Sequence, residues 1–512
     1  MKTIKFYTGI SLLAVLLLLS GCGKELDELP AGGSGTESPE NPAQSEGELL
    51  RLRVSDAGYL DAGTGSRATD SGLTTTFEDG DKIGLFVVNN ENEVLYANVP
   101  YTKSGEEWTA SQNVRTKGYP VRVFAYYPYV EDDKIIGKIN NEAQDASAFF
   151  KTYIDGVDIT DQSTPELYRQ ADVMACMVTV NDKDAAREEL TLTMNHQMGL
   201  VVVQLPETVT LTSVNCYLKG DESYEWTAQN VTLPANLSEE SLTVTGGIQP
   251  LKEETGYRYL CKSGDNNIPF SGGFKTYGAT KSYSVSSATV SAGSSKTYNV
   301  SVTPFAVEGK VEYPLQPGDF YMKDGSILPS VTQENKANCI GIVYWVPTAT
   351  DPLESHSPTW LEEHSTCTHG LVVGLKEQQS QWGTFGEITN ITDSDKGGIF
   401  RGYSNTKRLV SEHFDYAIVS AYNRLKTDVT LPSDKTSGWY VPSVGELVKL
   451  YQAKSKVDDS LSALSSTTLS SLLYWSSGEI SPNNAWNVNL DKGNVNVINK
   501  SNSYSVRLAF AF

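Results

Sequence analysis

The chain has 512 residues, enough for about three domains of ordinary size. Its 62 acidic residues outnumber its 41 basic residues, which gives a formal net charge of −21. A charge so negative argues against nucleic acid or an anionic membrane face as a partner.

The first segment has the pattern of an export signal. Two lysines precede an apolar run from Ile10 to Leu19, which is too short to span a bilayer. The sequence LSGC at residues 19–22 resembles the lipobox of bacterial lipoproteins. This resemblance implies that residues 1–21 are a lipoprotein signal peptide. It also implies that Cys22 is the lipidation site, which would anchor the chain to the outer membrane.

A tether and a strand follow the signal. Residues 22–48 are rich in Pro, Gly, Ser and Glu, and such a segment cannot bury a core. In the sequence LLRLRV, Leu50, Leu52 and Val54 alternate with arginines, which predicts a strand with one buried face. Behind this strand, glycines surround Arg67 in a stretch that is predicted to be an exposed loop, of the composition that proteases prefer.

The order of these parts predicts that the first strand is removable. A cut after Arg67 would release everything upstream of it, including Leu50, Leu52 and Val54. The vacated sheet edge would present unpaired N–H and C=O groups, which a strand from another protein could satisfy. The alternative is that Arg67 is an ordinary surface arginine.

Short apolar runs separated by polar turns continue to Phe305, with almost no helical periodicity. They predict antiparallel β-sandwiches. The runs include FEDGDKIGLFV, FAYYPY, ADVMAC and LTMNHQMGLVVVQL, the last of which contains His196.

In this order and spacing, the segments resemble the type V pilus fimbrillins of the Bacteroidales, the FimA-like and Mfa-like proteins. The resemblance implies two tandem transthyretin-like β-sandwiches, at residues 49–189 and 190–305, and assembly by donor-strand exchange. A trypsin-like protease would cut after Arg67, the first strand would leave, and the C-terminal strand of another fimbrillin subunit would fill the groove.

Residues 306–318 are predicted to be a linker, and residues 319–512 an α+β module. Ser443 and Glu446 have capping-box spacing and begin a predicted helix in VPSVGELVKLYQAK. A second helix is predicted in TKRLVSEHFDYAIVSAYNRLK. The module ends in three predicted strands, at residues 486–490, 495–497 and 504–510.

This module sets the chain apart from the stalk fimbrillins, which end in their own donor strand soon after the second sandwich. A subunit that accepts a strand but offers none can stand only at the end of a filament. The resemblance therefore implies a tip adhesin, first an outer-membrane lipoprotein and then part of the fimbrium. The alternative is a non-polymerising surface lipoprotein that binds glycans and uses its sandwiches as spacers.

The module resembles a lectin-like domain common on Bacteroidales surface lipoproteins, similar to C-type lectins and to formylglycine-generating enzymes. Those enzymes need a cysteine pair near the C-terminus, whereas the last cysteine here is Cys367. The motifs at residues 481–483 and 486–489 lack the carboxylates of calcium-bridged sugar sites. We therefore expect no enzyme activity, no catalytic residue, no cofactor and no metal.

Sugars are bound by aromatic rings that stack on their apolar faces and by amides that bond their hydroxyls. The predicted contacts to a glycan or a surface-protein ligand are Trp475, Glu479, Asn483, Asn484, Trp486 and Asn487. The alternative is that both tryptophans face the core, which would leave the loop Ile480–Asn484 to make contact.

Two other sets of residues carry weaker signals. The metal-ligand types His356, Glu362, His364, Cys367 and His369 follow no established zinc spacing, so we expect an ordinary surface loop there. Besides Cys22 there are five cysteines, so at least one would be unpaired in an oxidising compartment. Nearness in sequence favours pairs Cys216–Cys261 and Cys339–Cys367 without determining the connectivity.

Overall fold

Alternating apolar residues and short continuous apolar runs form the β-strands in the computed structural model. The structure describes residues 47–61, 73–262, 268–386, 389, 391, 393, 399–469 and 473–512. The strands in the first half are β1 (Glu48–Leu49), β2 (Arg51–Asp56), β3 (Leu60–Asp61), β4 (Lys82–Val88), β5 (Val94–Ser104), β6 (Glu107–Ala110), β7 (Arg115–Thr116), β8 (Val121–Tyr127), β9 (Met174–Val180), β10 (Glu189–His196), β11 (Met198–Gln204), β12 (Thr208–Leu218), β13 (Asp221–Pro234) and β14 (Leu237–Val244). The strands that follow are β15 (Leu251–Glu253), β16 (Gly256–Lys262), β17 (Phe270–Thr276), β18 (Ala279–Val285), β19 (Ser294–Asn299), β20 (Lys310–Glu312), β21 (Phe320–Met322), β22 (Ile327–Leu328), β23 (Cys339–Trp345), β24 (Leu371–Ser380), β25 (Leu473–Glu479), β26 (Asn484–Asn489), β27 (Val495–Asn499) and β28 (Tyr504–Ala511). The helices are α1 (Asp132–Ile135), α2 (Ala146–Phe149), α3 (Lys151–Gly156), α4 (Pro165–Ala171), α5 (Gly402–Glu412), α6 (Ala417–Lys426), α7 (Val444–Gln452) and α8 (Lys454–Ala463).

The first sheet has seven strands in the order β2-β10-β9-β8-β4-β5-β6. β8 is buried along its whole length, and its side chains alternate between two cores. Val123 packs in one core with Leu52 and Met194, whereas Phe124 packs in the other. Since β10 pairs with β9 only at its end, the ribbon of β2 and β10 folds over the first core and closes it.

Four short helices, α1 to α4, cover the second core of this sheet, where Phe149 stacks on Phe124 with 3.9 Å between ring centroids. The sequence pattern predicted no helix at these positions. These helices span only 4 to 7 residues. Two turns or fewer are too short for a 3.6-residue hydrophobic period to stand out.

Two more sheets share this second core. One has the order β15-β16-β11-β19-β3 and the other β14-β17-β18. The predicted domain boundary at residue 190 lies within β10. This strand belongs to the first sheet, and the next strand, β11, belongs to the five-stranded sheet. The chain crosses between the two groups at Gln197, which separates these strands.

The C-terminal part forms an eight-stranded sheet in the order β22-β21-β23-β24-β28-β25-β26-β27. Neighbouring residues of β28 face opposite sides: Ala509 packs with residues of α7 and α8, whereas Phe510 packs with residues of β12 and β13. The sheet β13-β12-β20 therefore joins the two halves of the molecule. Its strand β20 lies within residues 306–318, the predicted linker, and pairs in parallel with β12.

The helix begun by Ser443 and Glu446 is confirmed as α7, and both capping-box hydrogen bonds are present. The second predicted helix was wrong as a single element, because it divides into α5 and α6. The break at residues 413–416 lets Tyr416 turn inward against Trp382, with 6.0 Å between ring centroids. The three predicted C-terminal strands are confirmed as β26, β27 and β28. Among the helices of the described residues, none has the length and apolarity needed to cross a membrane.

Candidate functional site

The first complete strand of the described chain, β2, forms the outer edge of the seven-stranded sheet. It pairs in parallel with β10, from Arg51 beside Glu189 to Asp56 beside Met194. Leu50 and Leu52 are each only 4% exposed and pack in the first core. β2 therefore contributes much apolar contact while its backbone ladder is bonded along one side.

The other side of β2 faces a cleft of about 330 Å³ between this strand and β6. Its lining includes residues 49–52, 106–110 and 112–114. Before β2, the Leu50 amide donates to the Val114 carbonyl oxygen at 2.9 Å, and β1 pairs with β7. Removal of this segment would break these contacts and the pairing with β10, but it would not divide the seven-stranded sheet. Val54 is half-buried, and Cys22 and Arg67 lie outside the described residues.

Beyond β2, the chain enters a buried polar cluster that we call the His196 cluster, composed of Asp56, Tyr59, Asp172 and His196. His196 Nε2 lies 3.2 Å from Asp56 Oδ1, and His196 Nδ1 lies 2.8 Å from Asp172 Oδ1. The Tyr59 hydroxyl donates to Asp172 Oδ1 at 2.6 Å. The Tyr59 ring stacks on the imidazole, with 3.8 Å between centroids.

Two acidic side chains explain why His196 can be charged although it is buried. Burial by itself would lower the pKa of His196, but the carboxylates of Asp172 and Asp56 outweigh burial and raise this pKa to about 9. Burial by itself would raise the pKa of Asp56. The hydrogen bond and the charge of His196 outweigh burial and lower this pKa. At neutral pH His196 is therefore an imidazolium, which lies between Asp56 and Asp172.

Asp56 also holds the backbone around it. Its carboxylate accepts from the Gly58 amide at 2.8 Å and from the Thr75 amide at 2.5 Å. Further along, the Leu60 amide donates to the Gly293 carbonyl at 2.8 Å, and β3 pairs in parallel with β19. Residues 48–61 thus form a strap, which we call the N-terminal strap, that contacts the first sheet and the five-stranded sheet.

Sequence reasoning noted His196 only as part of a motif and missed Asp56, Tyr59 and Asp172. The available signal was an acidic residue followed three positions later by tyrosine, directly after the alternating strand. That signal gains meaning only when the strap and β10 are adjacent, because 140 residues separate Asp56 from His196.

The last strand, β28, has the opposite placement to β2. It lies between β24 and β25, pairing antiparallel with β24 and parallel with β25. Phe512 directly follows β28. Its carbonyl oxygen accepts from the His369 amide at 2.8 Å, and its side chain is fully buried. Arg507 of β28 is buried and donates to the Gly374 carbonyl oxygen at 2.8 Å. Withdrawal of β28 would divide the sheet.

The structure buries three of the six predicted ligand contacts. Trp475, Glu479 and Asn487 are at most 1% exposed. The Trp475 indole donates to the Ser380 carbonyl oxygen at 2.9 Å, and Glu479 forms an ion pair with the fully buried Lys500. These side chains stabilise the core of the module and are not available to a ligand in this conformation.

The other three predicted contacts are more accessible. Asn483 is exposed, whereas Asn484 and Trp486 are half-buried. Trp486 packs beside the core of α7 and α8 rather than inside it. The predicted contact surface is thereby reduced to the turn between β25 and β26, together with one edge of Trp486.

A larger concave surface lies where the C-terminal module meets β12 and β20. This junction cleft has a volume of about 700 Å³. The side chains that line it include Lys219, Glu312, Trp345, Lys449 and Lys456. No motif in the sequence pointed to it, because its walls come from segments on both sides of the predicted linker.

The cysteines and the candidate metal ligands do not form a site. Cys176, Cys216, Cys261, Cys339 and Cys367 are buried thiols, so the pairs favoured by nearness in sequence were wrong. Cys216 lies in β12 and Cys261 in β16, strands of different sheets.

The histidines near Cys367 have separate partners. His356 contacts Asp351 at 2.8 Å, His364 contacts Tyr403 at 3.0 Å, and His369 contacts Asp221 at 3.2 Å. Within the described part of the chain, no group of three or more His, Cys, Asp or Glu residues is arranged to hold a metal ion.

Comparison with known proteins gives three results. Residues 66–315 match the family model Mfa_like_1, described as fimbrillin-like. The chain is 28% identical to a Bacteroides ovatus protein named "Putative fimbrium tip subunit Fim1C", over 98% of each chain. A crystal structure of a fimbrial protein from Bacteroides ovatus is 25% identical, covers 91% of this chain and 100% of its own, and has a TM-score of 0.36.

Proposed function

We propose that this fimbrial subunit, which carries an Mfa-like fimbrillin domain over residues 66–315, stands at the tip of a cell-surface pilus. It accepts a strand from another fimbrillin subunit after its own first strand has been removed. Its C-terminal module, residues 319–512, binds the ligand. In this proposal the N-terminal sheets are transthyretin-like sandwiches and the module is lectin-like.

The observation that carries the tip position is the contrast between β2 and β28. β2 is an edge strand, so it can leave without dividing the seven-stranded sheet. β28 is an interior strand, bonded on both sides and buried at Phe510. A subunit with this arrangement can accept at β10 but cannot donate β28. The Fim1C relative, whose name describes a fimbrium tip subunit, supports the same position.

Processing precedes assembly in this proposal. Cys22 receives the lipid and holds the precursor at the outer membrane, and a trypsin-like protease then cuts after Arg67. Because Leu50, Leu52 and Val54 lie upstream of that cut, the removable strand and the anchor leave together. The proposed order therefore couples release from the membrane to opening of the acceptor edge.

Two surfaces of the module are candidates for ligand contact. Asn483, Asn484 and the accessible edge of Trp486 offer amides and a ring, which suit a glycan or a surface protein. The junction cleft is concave and large enough for a small saccharide or a peptide segment. Lys449→Ala and Asn483→Ala separate the two surfaces on an array of glycans and host or bacterial surface proteins.

The decisive experiment replaces Arg67 with alanine. We expect Arg67→Ala to remain folded and membrane-bound, to resist the processing protease and to be absent from filaments. Arg424→Ala is the matched control, because Arg424 is an exposed arginine on α6, far from the strap in sequence. Electron microscopy of filaments and N-terminal sequencing of the released protein report the two steps.

The result also distinguishes the alternative function. If Arg67→Ala gives normally tipped filaments without a new cut at Arg51 or Arg53, the proposed processing is refuted. If native protein is never cut and never enters filaments but binds glycans, it is a non-polymerising surface lipoprotein.

A further inference from the structure

Removal of the N-terminal strap changes more than a sheet edge, because the strap supplies two members of the His196 cluster. Asp56 and Tyr59 lie upstream of Arg67 and would leave with β2. His196, Asp172 and Thr75 lie downstream and would remain. The vacated place is therefore a subsite whose lining is defined by the contacts that the strap now makes.

Two donors would lose their acceptor at this subsite. His196 Nε2 lies 3.2 Å from Asp56 Oδ1 and 3.4 Å from Asp56 Oδ2, and the Thr75 amide donates to Asp56 Oδ2 at 2.5 Å. The side chains of His196 and Asp56 are only 1% and 4% exposed. An imidazole N–H and an amide N–H that converge on one buried side chain are satisfied together by a carboxylate, which also supplies the negative charge that a protonated His196 requires.

One acceptor and one ring face would be uncovered beside these donors. Asp172 Oδ1 accepts from the Tyr59 hydroxyl at 2.6 Å, and the imidazole of His196 stacks on the Tyr59 ring. A phenol satisfies both requirements, because it supplies an aromatic face and an O–H donor. The subsite is complementary to a carboxylate followed three residues later by a tyrosine.

The neighbouring backbone sets the position of such an occupant. The Ala57 amide donates to the Met194 carbonyl at 2.8 Å, and the Leu60 amide donates to the Gly293 carbonyl at 2.8 Å. A strand that enters beside β10 would be held by the same carbonyls. Its register would then decide which of its side chains enters the subsite.

We propose that the His196 subsite selects the incoming strand of another pilus subunit by requiring an acidic residue and, three positions further, a tyrosine. This proposal rests on the proposed strand exchange and adds a specificity to it. A strand that only fills the apolar groove would leave the His196 and Thr75 donors without an acceptor. Buried donors without partners weaken binding by more than the loss of a single contact.

The test uses a fluorescein-labelled peptide with the sequence of residues 48–61, which contains both side chains in their native register. The full chain is cut with trypsin after Arg67, trypsin is inhibited, and peptide entry is measured by fluorescence anisotropy. We expect Asp56→Asn in the peptide to weaken binding by about tenfold or more. We expect Tyr59→Leu to weaken binding similarly and Tyr59→Phe to have a smaller effect.

Arg53→Gln in the peptide is the matched control. It also changes the charge of the peptide by one, but Arg53 is exposed on β2, so binding should change by no more than about twofold. In the acceptor, His196→Gln should reduce the difference between the parent and Asp56→Asn peptides. If His196→Gln does not fold, binding of the peptide variants to the acceptor with native His196 still tests the proposed subsite.

The outcomes separate the two proposals. If the parent peptide enters and the Asp56→Asn and Tyr59→Leu peptides bind equally well, strand exchange stands and the His196 subsite is refuted. If trypsin does not cut after Arg67, or if the parent peptide does not enter, the proposed strand exchange is overturned and the subsite with it.

Discussion

The stability of the N-terminal strap should depend on pH through His196. In the folded protein the pKa of His196 is raised from its usual 6.5 to about 9 by two carboxylates that outweigh burial. Between these values the folded state holds a proton that the unfolded state has released. Stability from this group is therefore complete below pH 6.5 and is lost as the pH rises through about 9.

The magnitude follows from the same values. Each factor of ten in proton affinity corresponds to about 1.4 kcal/mol, so the raised pKa represents about 3 kcal/mol relative to the fully unfolded chain. The groups that face the imidazole are Asp56, Asp172 and Tyr59. Burial raises the pKa of Tyr59 well above its usual value, and the pKa of Asp56 is lowered. Tyr59 and Asp56 therefore do not titrate in this window.

Hydrogen exchange measured by mass spectrometry reports this effect locally. In the native chain, protection of the β2 and β10 amides, corrected for the intrinsic exchange rate, should fall by at most about a hundredfold between pH 6 and pH 9, because an opening that moves only the strap leaves His196 beside Asp172. His196→Gln should show a much weaker dependence, because glutamine does not titrate. His413→Gln, a histidine outside the cluster, should behave as the native chain. An equal fall in His196→Gln and the native protein would refute the reasoning.

Three further substitutions test the packing. Leu52→Ala should weaken attachment of the strap by about 2–5 kcal/mol because it empties a buried site, whereas Arg53→Ala should have little effect in the same exchange experiment. Lys500→Ala should lower the unfolding free energy of the C-terminal module by about 3–5 kcal/mol, because it leaves Glu479 buried and unpaired. Calorimetry measures this loss, and an unchanged melting temperature would contradict the prediction. Phe512→Ala should cost about 3–5 kcal/mol in a denaturant titration, and a stability equal to that of the native chain would show that the contact with the β12–β13 sheet is dispensable.

Local patterns in the sequence were sufficient for much of the secondary structure. The period-two alternation at Leu50 and Leu52 predicts a strand with one buried face, because neighbouring residues in a strand point to opposite sides. The capping box at Ser443 and Glu446 predicts the start of α7, because both of its hydrogen bonds form within one turn. Order and spacing of short motifs also indicated the fimbrillin resemblance.

Distant contacts required the tertiary structure. Whether β28 is an edge or an interior strand depends on where β24 and β25 lie. The residues of β28 alone do not determine that arrangement. Trp475 and Glu479 have residue types that suit a sugar site, yet packing against α-helices and strands far away in sequence buries them. Asp56 and His196 form one cluster only because the strap lies beside β10. The sequence determines the chemical groups of each side chain, but long-range packing determines which partners those groups contact.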